Sequence, residues 1–462
     1  MNNKSPLFQI LLIVLFLCYL VQYILDIEGI IIKYPTIADA IIYLIICFLY
    51  LWKYRRDNLL CFEALALPVI FLGIFFEDLI FPLVTGEFNY HTIGNDDIKA
   101  QSADLQMMAY SIFLIGCSRA NKKSQKKTKH ESVKLTNNVN YNIFVKVLSI
   151  ILFLILLYDY KTGIFNSWFY YNNTEYIDFE DRNQGLGHIT CLLLALTASE
   201  ITRLRNLGVN NLFSFIKCVN KLYLVEWIFV SCLLYATGNR NEMLLILLPL
   251  LVAYSICIKP IRNKTLLIFG TLGILLMVIV STTRQGDSGV SIEGATFNLL
   301  SFTIDFASLG FNCNYLVGYT DQHGPTFFAG LWGQILSGIP YIGPVILNIF
   351  QIKGPVASST LTTEAAGTIS GMGTSLIGDL YYCGGLIWVL VFMFFLGYIM
   401  SYIYYSDKKI NTYVLMFYSY MVANSIYYIR SQWAFPITIL EYTTIILILG
   451  NVLFRKKQRI IK

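Results

Sequence analysis

The fold is decided by residues 6–25, PLFQILLIVLFLCYLVQYIL, which run from Pro6 to Leu25 without a single charged side chain. At 1.5 Å per residue such a run crosses the roughly 30 Å hydrocarbon core of a bilayer. It is too long for the apolar core of a signal peptide. It also ends in Asp26 and Glu28 rather than in the small residues of a cleavage site, so it reads as a retained anchor. The pattern recurs at about 37–52, 59–84, 102–118, 141–160, 186–202, 219–237, 241–258, 265–282, 380–405, 411–428 and 436–454. The expectation is an all-α, polytopic integral membrane protein of about 12 transmembrane helices, a single membrane-embedded domain over residues 1–462. Composition agrees, with 56% hydrophobic residues, 13% charged and a mean hydropathy of +0.60. A soluble chain carries about 25% charged residues.

Orientation follows from the basic residues, which collect on the cytoplasmic side of membrane proteins. With the N-terminus inside, the cytoplasmic segments hold Lys53-Tyr54-Arg55-Arg56, the basic loop 119–138, Arg203 and Arg205, Lys217 and Lys221, Lys408 and Lys409, and the tail from Arg455 to Lys462. That side then carries 26 of the 34 Lys and Arg, and most acidic residues fall on the other. The opposite threading inverts both biases, so both termini are read as cytoplasmic. The net charge of +6 is explained by membrane orientation and calls for no nucleic-acid partner. Loop 119–138 is expected to lie against anionic headgroups of the bilayer.

From Arg284 to Thr374 the chain stays outside, yet 295–317 and 326–350 are apolar and broken by Gly338, Pro340, Gly343 and Pro344. Breaks at membrane depth must be buried in protein or line a cavity. The favoured reading of 284–374 is a large outer loop with surface or re-entrant helices; an extra spanning pair is the alternative, raising the count to 14 without moving either terminus. No internal repeat is visible, which weakens a transporter built from inverted halves.

Cysteines and histidines exclude more than they suggest. Ten cysteines are scattered without a CxxC pair, and only Cys313 and Cys383 lie where a disulfide has room to form. The four histidines make no metal-spaced pair, so neither a metal nor a cofactor is expected.

The informative residues are the few cations left outside. Arg240 in Thr237-Gly238-Asn239-Arg240-Asn241-Glu242, Arg284 in Thr282-Thr283-Arg284-Gln285 and Arg430 in Ile429-Arg430-Ser431-Gln432 each follow a helix running outward, so they share one depth. A cation there also serves the helix C-terminus and snorkels to water. That three scarce outer positions are all Arg argues for more, because a guanidinium offers phosphate a planar fork. With Asn239 and Arg182 they form a candidate site for a lipid-linked pyrophosphate, and no acidic pair is convincingly placed for a metal. Electrostatic stabilisation of a departing pyrophosphate would fall to the arginines. Transfer to a hydroxyl also needs a proton acceptor, for which Asp305, Asp379 and His323 are the candidates.

Two stretches carry a resemblance. Gly238-Asn239-Arg240, with Glu242 opening the next span, and the outer loop ending in Ser375-Leu376-Ile377-Gly378-Asp379-Leu380-Tyr381-Tyr382-Cys383-Gly384-Gly385 resemble the bacterial O-antigen polysaccharide polymerases of the Wzy type. Many members look to have Glu where this chain has Asp379, which leaves the role of that carboxylate open. The resemblance implies a metal-independent glycosyltransferase of the multi-helix GT-C class in the bacterial inner membrane. It would polymerise undecaprenyl-pyrophosphate-linked oligosaccharide repeat units at the periplasmic face, with a chain-length regulator as a possible partner. Arg240, Arg284 and Arg430 would hold the pyrophosphates. Two rivals remain: an O-antigen ligase, which His323 keeps in play, and a lipid-linked oligosaccharide flippase. A flippase needs ionisable residues at mid-membrane depth, where Glu226 is the clearest.

Overall fold

The uncharged run that opens the chain is a helix, α1 (Pro6–Ile27). One narrow face, marked by Leu12, Tyr19 and Tyr23, is buried, while Leu7, Ile10, Val14, Leu17, Val21 and Ile24 point away from the protein. The computed structural model describes residues 6–28, 36–55, 58–80, 96–127, 139–169, 184–237, 240–268, 270–273, 299–339, 342–351, 356–367, 373–406 and 411–455. Among them every named element is helical, and the sole β feature is an isolated bridge between Val139 and Arg455.

The further helices are α2 (Ile37–Tyr54), α3 (Phe62–Phe75, continued by a π turn at Phe76–Ile80), α4 (Asp96–Lys127), α5 (Tyr141–Thr162), α6 (Leu186–Asn206), α7 (Leu212–Cys218), α8 (Lys221–Ala236) and α9 (Arg240–Cys257). After them come α10 (Leu299–His323), α11 (Phe327–Gly338), α12 (Ile342–Ile349), α13 (Ser358–Ala365), α14 (Leu376–Tyr405), α15 (Thr412–Tyr428) and α16 (Phe435–Leu453).

Five of these are long and apolar enough to cross a membrane alone: Leu7–Ile27, Ile37–Tyr54, Tyr141–Thr162, Leu376–Tyr405 and Phe435–Leu453. A sixth span forms if α7 and α8, bent by 103°, are taken together, and Phe62–Phe75 and Asn241–Cys257 are shorter apolar helices. The architecture is therefore polytopic and helical. Its apolarity is graded from outside in. The five strongest spans are only 22% to 39% buried within the protein. By contrast α4, α6 and α15 are buried on nearly every side and carry the polar residues. Acyl chains are as apolar as leucine, so the helices that meet lipid must be the most hydrophobic, and those shielded by other helices are free to be polar. Several buried hydroxyls are satisfied locally. Thr190, Thr197 and Thr202 of α6 each donate to the carbonyl four residues back, at 2.9, 2.7 and 2.8 Å.

Two glycines let α4 and α14 meet closely. A Cβ on Gly116 would lie 2.2 Å from the Phe394 carbonyl oxygen, and one on Gly397 would lie 2.2 Å from that of Phe113. Small residues facing a neighbouring backbone are the usual means of close approach between membrane helices. At Gly385 (φ 68°, ψ −168°) α14 breaks into a short helix, 376–384, and a long one, 386–405. That conformation belongs to glycine alone.

The sequence reading and the structure differ in extent at several elements. Helix α4 continues through Lys127, so residues 119–127 of the basic segment are helical, as a stretch rich in Lys favours. The expected span 219–237 has an approach helix, α7, turned sharply at Asn220, whose side chain accepts from the Leu222 amide at 3.0 Å. Helix α10 lies beside α3, α4 and α14, with a Cβ on Gly73 falling 3.4 Å from that of Leu309. The span 265–282 is described only as far as residue 273, and Cys313 and Cys383 are both buried and free.

Candidate functional site

Hydrogen bonds tie one end of the bundle into a recognisable set of chain positions. Asn58 donates to Ser255 at 3.0 Å, Tyr141 and Thr412 share a hydrogen bond at 2.8 Å, and Thr202 meets Thr412 at 3.1 Å. At the same end Arg55 pairs with Glu63 at 2.6 Å, and Ser401 bonds to both. These positions lie beside the basic segments of the chain. Helix α9 passes Ser255 there and begins at Arg240; α15 begins there at Thr412 and ends just before Arg430. The two helices pack on each other. Each is about 25 Å long, so Arg240 and Arg430 both stand at the far end.

The turn that carries Arg430 is fastened to the short helix 376–384. Ser375 caps that helix, its hydroxyl accepting from the Gly378 amide at 3.4 Å. The Thr374 amide donates to the Arg430 carbonyl at 3.1 Å, and the Leu376 amide to that of Ile429 at 2.9 Å. The Tyr428 hydroxyl closes the turn from the other side by donating to the Trp433 carbonyl at 2.7 Å. Arg430 itself is half-buried.

Asp379 sits in the first turn of this short helix and is fully buried. One carboxylate oxygen accepts from the Ser358 hydroxyl at 2.7 Å and, more distantly, from the Gln334 amide at 3.5 Å. The other accepts from the Trp433 backbone N–H at 2.8 Å. Ser358 in turn accepts from Thr374 at 3.1 Å. The carboxylate thus joins α11, α13, α14 and the Arg430 turn.

His323 occupies the last turn of α10 and is exposed. Its ring stacks on Tyr319 at 4.2 Å, and its Nδ1 lies 2.9 Å from the Tyr319 carbonyl oxygen. A carbonyl only accepts, so Nδ1 carries a proton in this contact, and Nε2 is the nitrogen left to act as an acceptor in the neutral tautomer. Tyr319 also meets the ring of Tyr382 at 6.0 Å, and Thr326 just beyond donates from its backbone to the Tyr382 carbonyl at 2.9 Å. Three of the expected residues are thus tied to one short helix: Asp379 lies within it, the Arg430 carbonyl is bonded at its start, and His323 stacks on Tyr319, which meets Tyr382.

The other expected residues are only partly placed. Arg240 opens α9 and Asp305 lies in α10, but the side chains of both fall outside the described residues, as do Arg182, Asn239 and Arg284 altogether. The structure also adds residues that the sequence did not single out. Tyr381 donates to Asp321 at 2.7 Å and meets Tyr23 at 3.1 Å, linking an exposed carboxylate to the interior of the bundle. Asp321 stands two residues from His323 and Tyr381 two from Asp379, a proximity that gave no signal by itself.

These features define a helical integral membrane protein with a polar, arginine-bearing end set on interior helices. The chain belongs to the O-antigen polysaccharide polymerase Wzy family, whose model matches residues 7–458. No curated protein and no solved structure matches it.

Proposed function

We propose that the chain joins undecaprenyl-pyrophosphate-linked oligosaccharide repeat units into O-antigen at the periplasmic face of the inner membrane. A sugar hydroxyl of the incoming unit attacks the anomeric carbon of the lipid-linked chain. The new glycosidic C–O bond forms as the bond to pyrophosphate breaks, undecaprenyl pyrophosphate leaves, and the hydroxyl proton passes to a base. Arg240, Arg284 and Arg430 receive the charge that develops on the pyrophosphate, with Asn239 and Arg182 completing the cradle. No metal is needed when guanidinium groups carry that charge. For the base, Asp305 and His323 are retained, and His323 has an exposed Nε2 with which to take the proton.

Membership of the polymerase family over residues 7–458 carries this reading. The shared end of α9 and α15, where Arg240 begins one helix and Arg430 follows the other, supports the site. Deletion of the gene tests it through the surface polysaccharide seen on a gel. Long chains lost, with a single repeat unit kept on the lipid core, is the expected pattern. Polymer stranded on its lipid carrier would point to a ligase instead, and units trapped on the cytoplasmic side to a flippase.

A further inference from the structure

Asp379 resembles a catalytic carboxylate in sequence, but its surroundings fit another task. A proton acceptor must come within about 2.6–3.2 Å of the acceptor hydroxyl. Asp379 is fully buried, and each of its oxygens already accepts a close hydrogen bond, from Ser358 on one side and from the Trp433 amide on the other. What those bonds hold is the turn 429–433, which the Thr374 and Leu376 amides grip from the opposite strand of chain. We propose that Asp379 is a positioning residue that fixes the Arg430 turn, so that the guanidinium is presented to the pyrophosphate with little reorganisation. This rests on the assignment of Arg430 to the pyrophosphate.

The chemistry of the amide makes the idea testable. In Asp379→Asn the carbonyl oxygen still accepts from the Trp433 amide, while the new NH2 donates to Ser358 Oγ, because a hydroxyl both donates and accepts. The turn is kept, although a general base would be destroyed. Asp379→Ala removes both anchors and leaves a buried backbone N–H without its acceptor. Polymer formation is measured in proteoliposomes with a lipid-linked repeat unit, per amount of folded full-length protein, for both variants and in the Arg430→Ala background. Asp379→Asn is expected to stay within about tenfold of wild type, and Asp379→Ala to fall about a hundredfold, near the cost of losing one preorganised donor. In the Arg430→Ala background Asp379→Ala should cost nothing further, since a residue acting through another is non-additive with it.

Three results overturn the inference. If Asp379→Asn is as inactive as Asp379→Ala, the carboxylate is the base. If Arg430→Ala is impaired and Asp379→Ala multiplies that loss, Asp379 acts independently, while the pyrophosphate reading of Arg430 stands. If Arg430→Ala is as active as wild type, that reading of Arg430 falls and the positioning role falls with it.

Discussion

An arginine at the outer end of a membrane helix has two uses, to neutralise helix carbonyls and to hold an anion. Mutation separates them. A cation that only serves the helix terminus contributes about 0.3–1 kcal/mol, so its loss leaves chemistry nearly intact. One that meets the leaving pyrophosphate in the transition state is worth about a hundredfold or more in rate. Arg240→Ala, Arg284→Ala and Arg430→Ala are each expected to abolish long-chain polymer at normal protein level, as seen by gel and immunoblot. Arg→Lys should recover only part of the activity, because an ammonium lacks the planar fork. The arginines stand out as candidates in the sequence because cations are scarce in the segments read as outer. The partners of Asp379 do not. Ser358 and Trp433 lie 21 and 54 residues away from it along the chain, and no local pattern relates them.

At the scale of elements, the lipid-facing helices are the readable ones. Their boundaries lie close to the apolar runs because both are set by bilayer thickness. The interior helices were harder, since a shielded helix has no need to be apolar; α4 was expected from 102 to 118 and runs from Asp96 to Lys127. Arg55 illustrates a different limit. As part of a basic segment it signals the cytoplasmic side, yet it is buried beneath Tyr404 at 4.3 Å and paired with Glu63, both side chains at 0% exposure. Removing one partner of such a pair leaves an uncompensated buried charge. Glu63→Ala is expected to cost about 3–5 kcal/mol and to lower thermal stability in detergent. Removing both partners at once with apolar residues should restore much of it. The contact of α4 with α14 makes a second prediction. Gly116→Leu or Gly397→Leu must push a backbone carbonyl aside, and overpacking of this kind costs about 1–3 kcal/mol. Reduced abundance and a lower unfolding temperature are the expected readouts, and an unchanged unfolding temperature would contradict the close approach.

For the whole molecule, topology and chemistry are one argument. On the proposed orientation, with the basic segments in the cytoplasm, the helices carry the chain across and Arg240 and Arg430 emerge on the far side. A cytoplasmic reporter fused after Lys127 is expected to be active and one fused after His323 inactive, with a periplasmic reporter giving the reverse. The central claim is that this end of the bundle joins lipid-linked repeat units with arginines stabilising the leaving pyrophosphate. It is tested most directly with purified protein in proteoliposomes, given a single lipid-linked repeat unit and assayed for polymer and for free undecaprenyl pyrophosphate. Wild type should yield a ladder of chains with one undecaprenyl pyrophosphate released per linkage, and Arg240→Ala and Arg430→Ala should join units about a hundredfold more slowly. A full ladder from either variant, or wild-type protein that leaves the units unjoined, would contradict the claim.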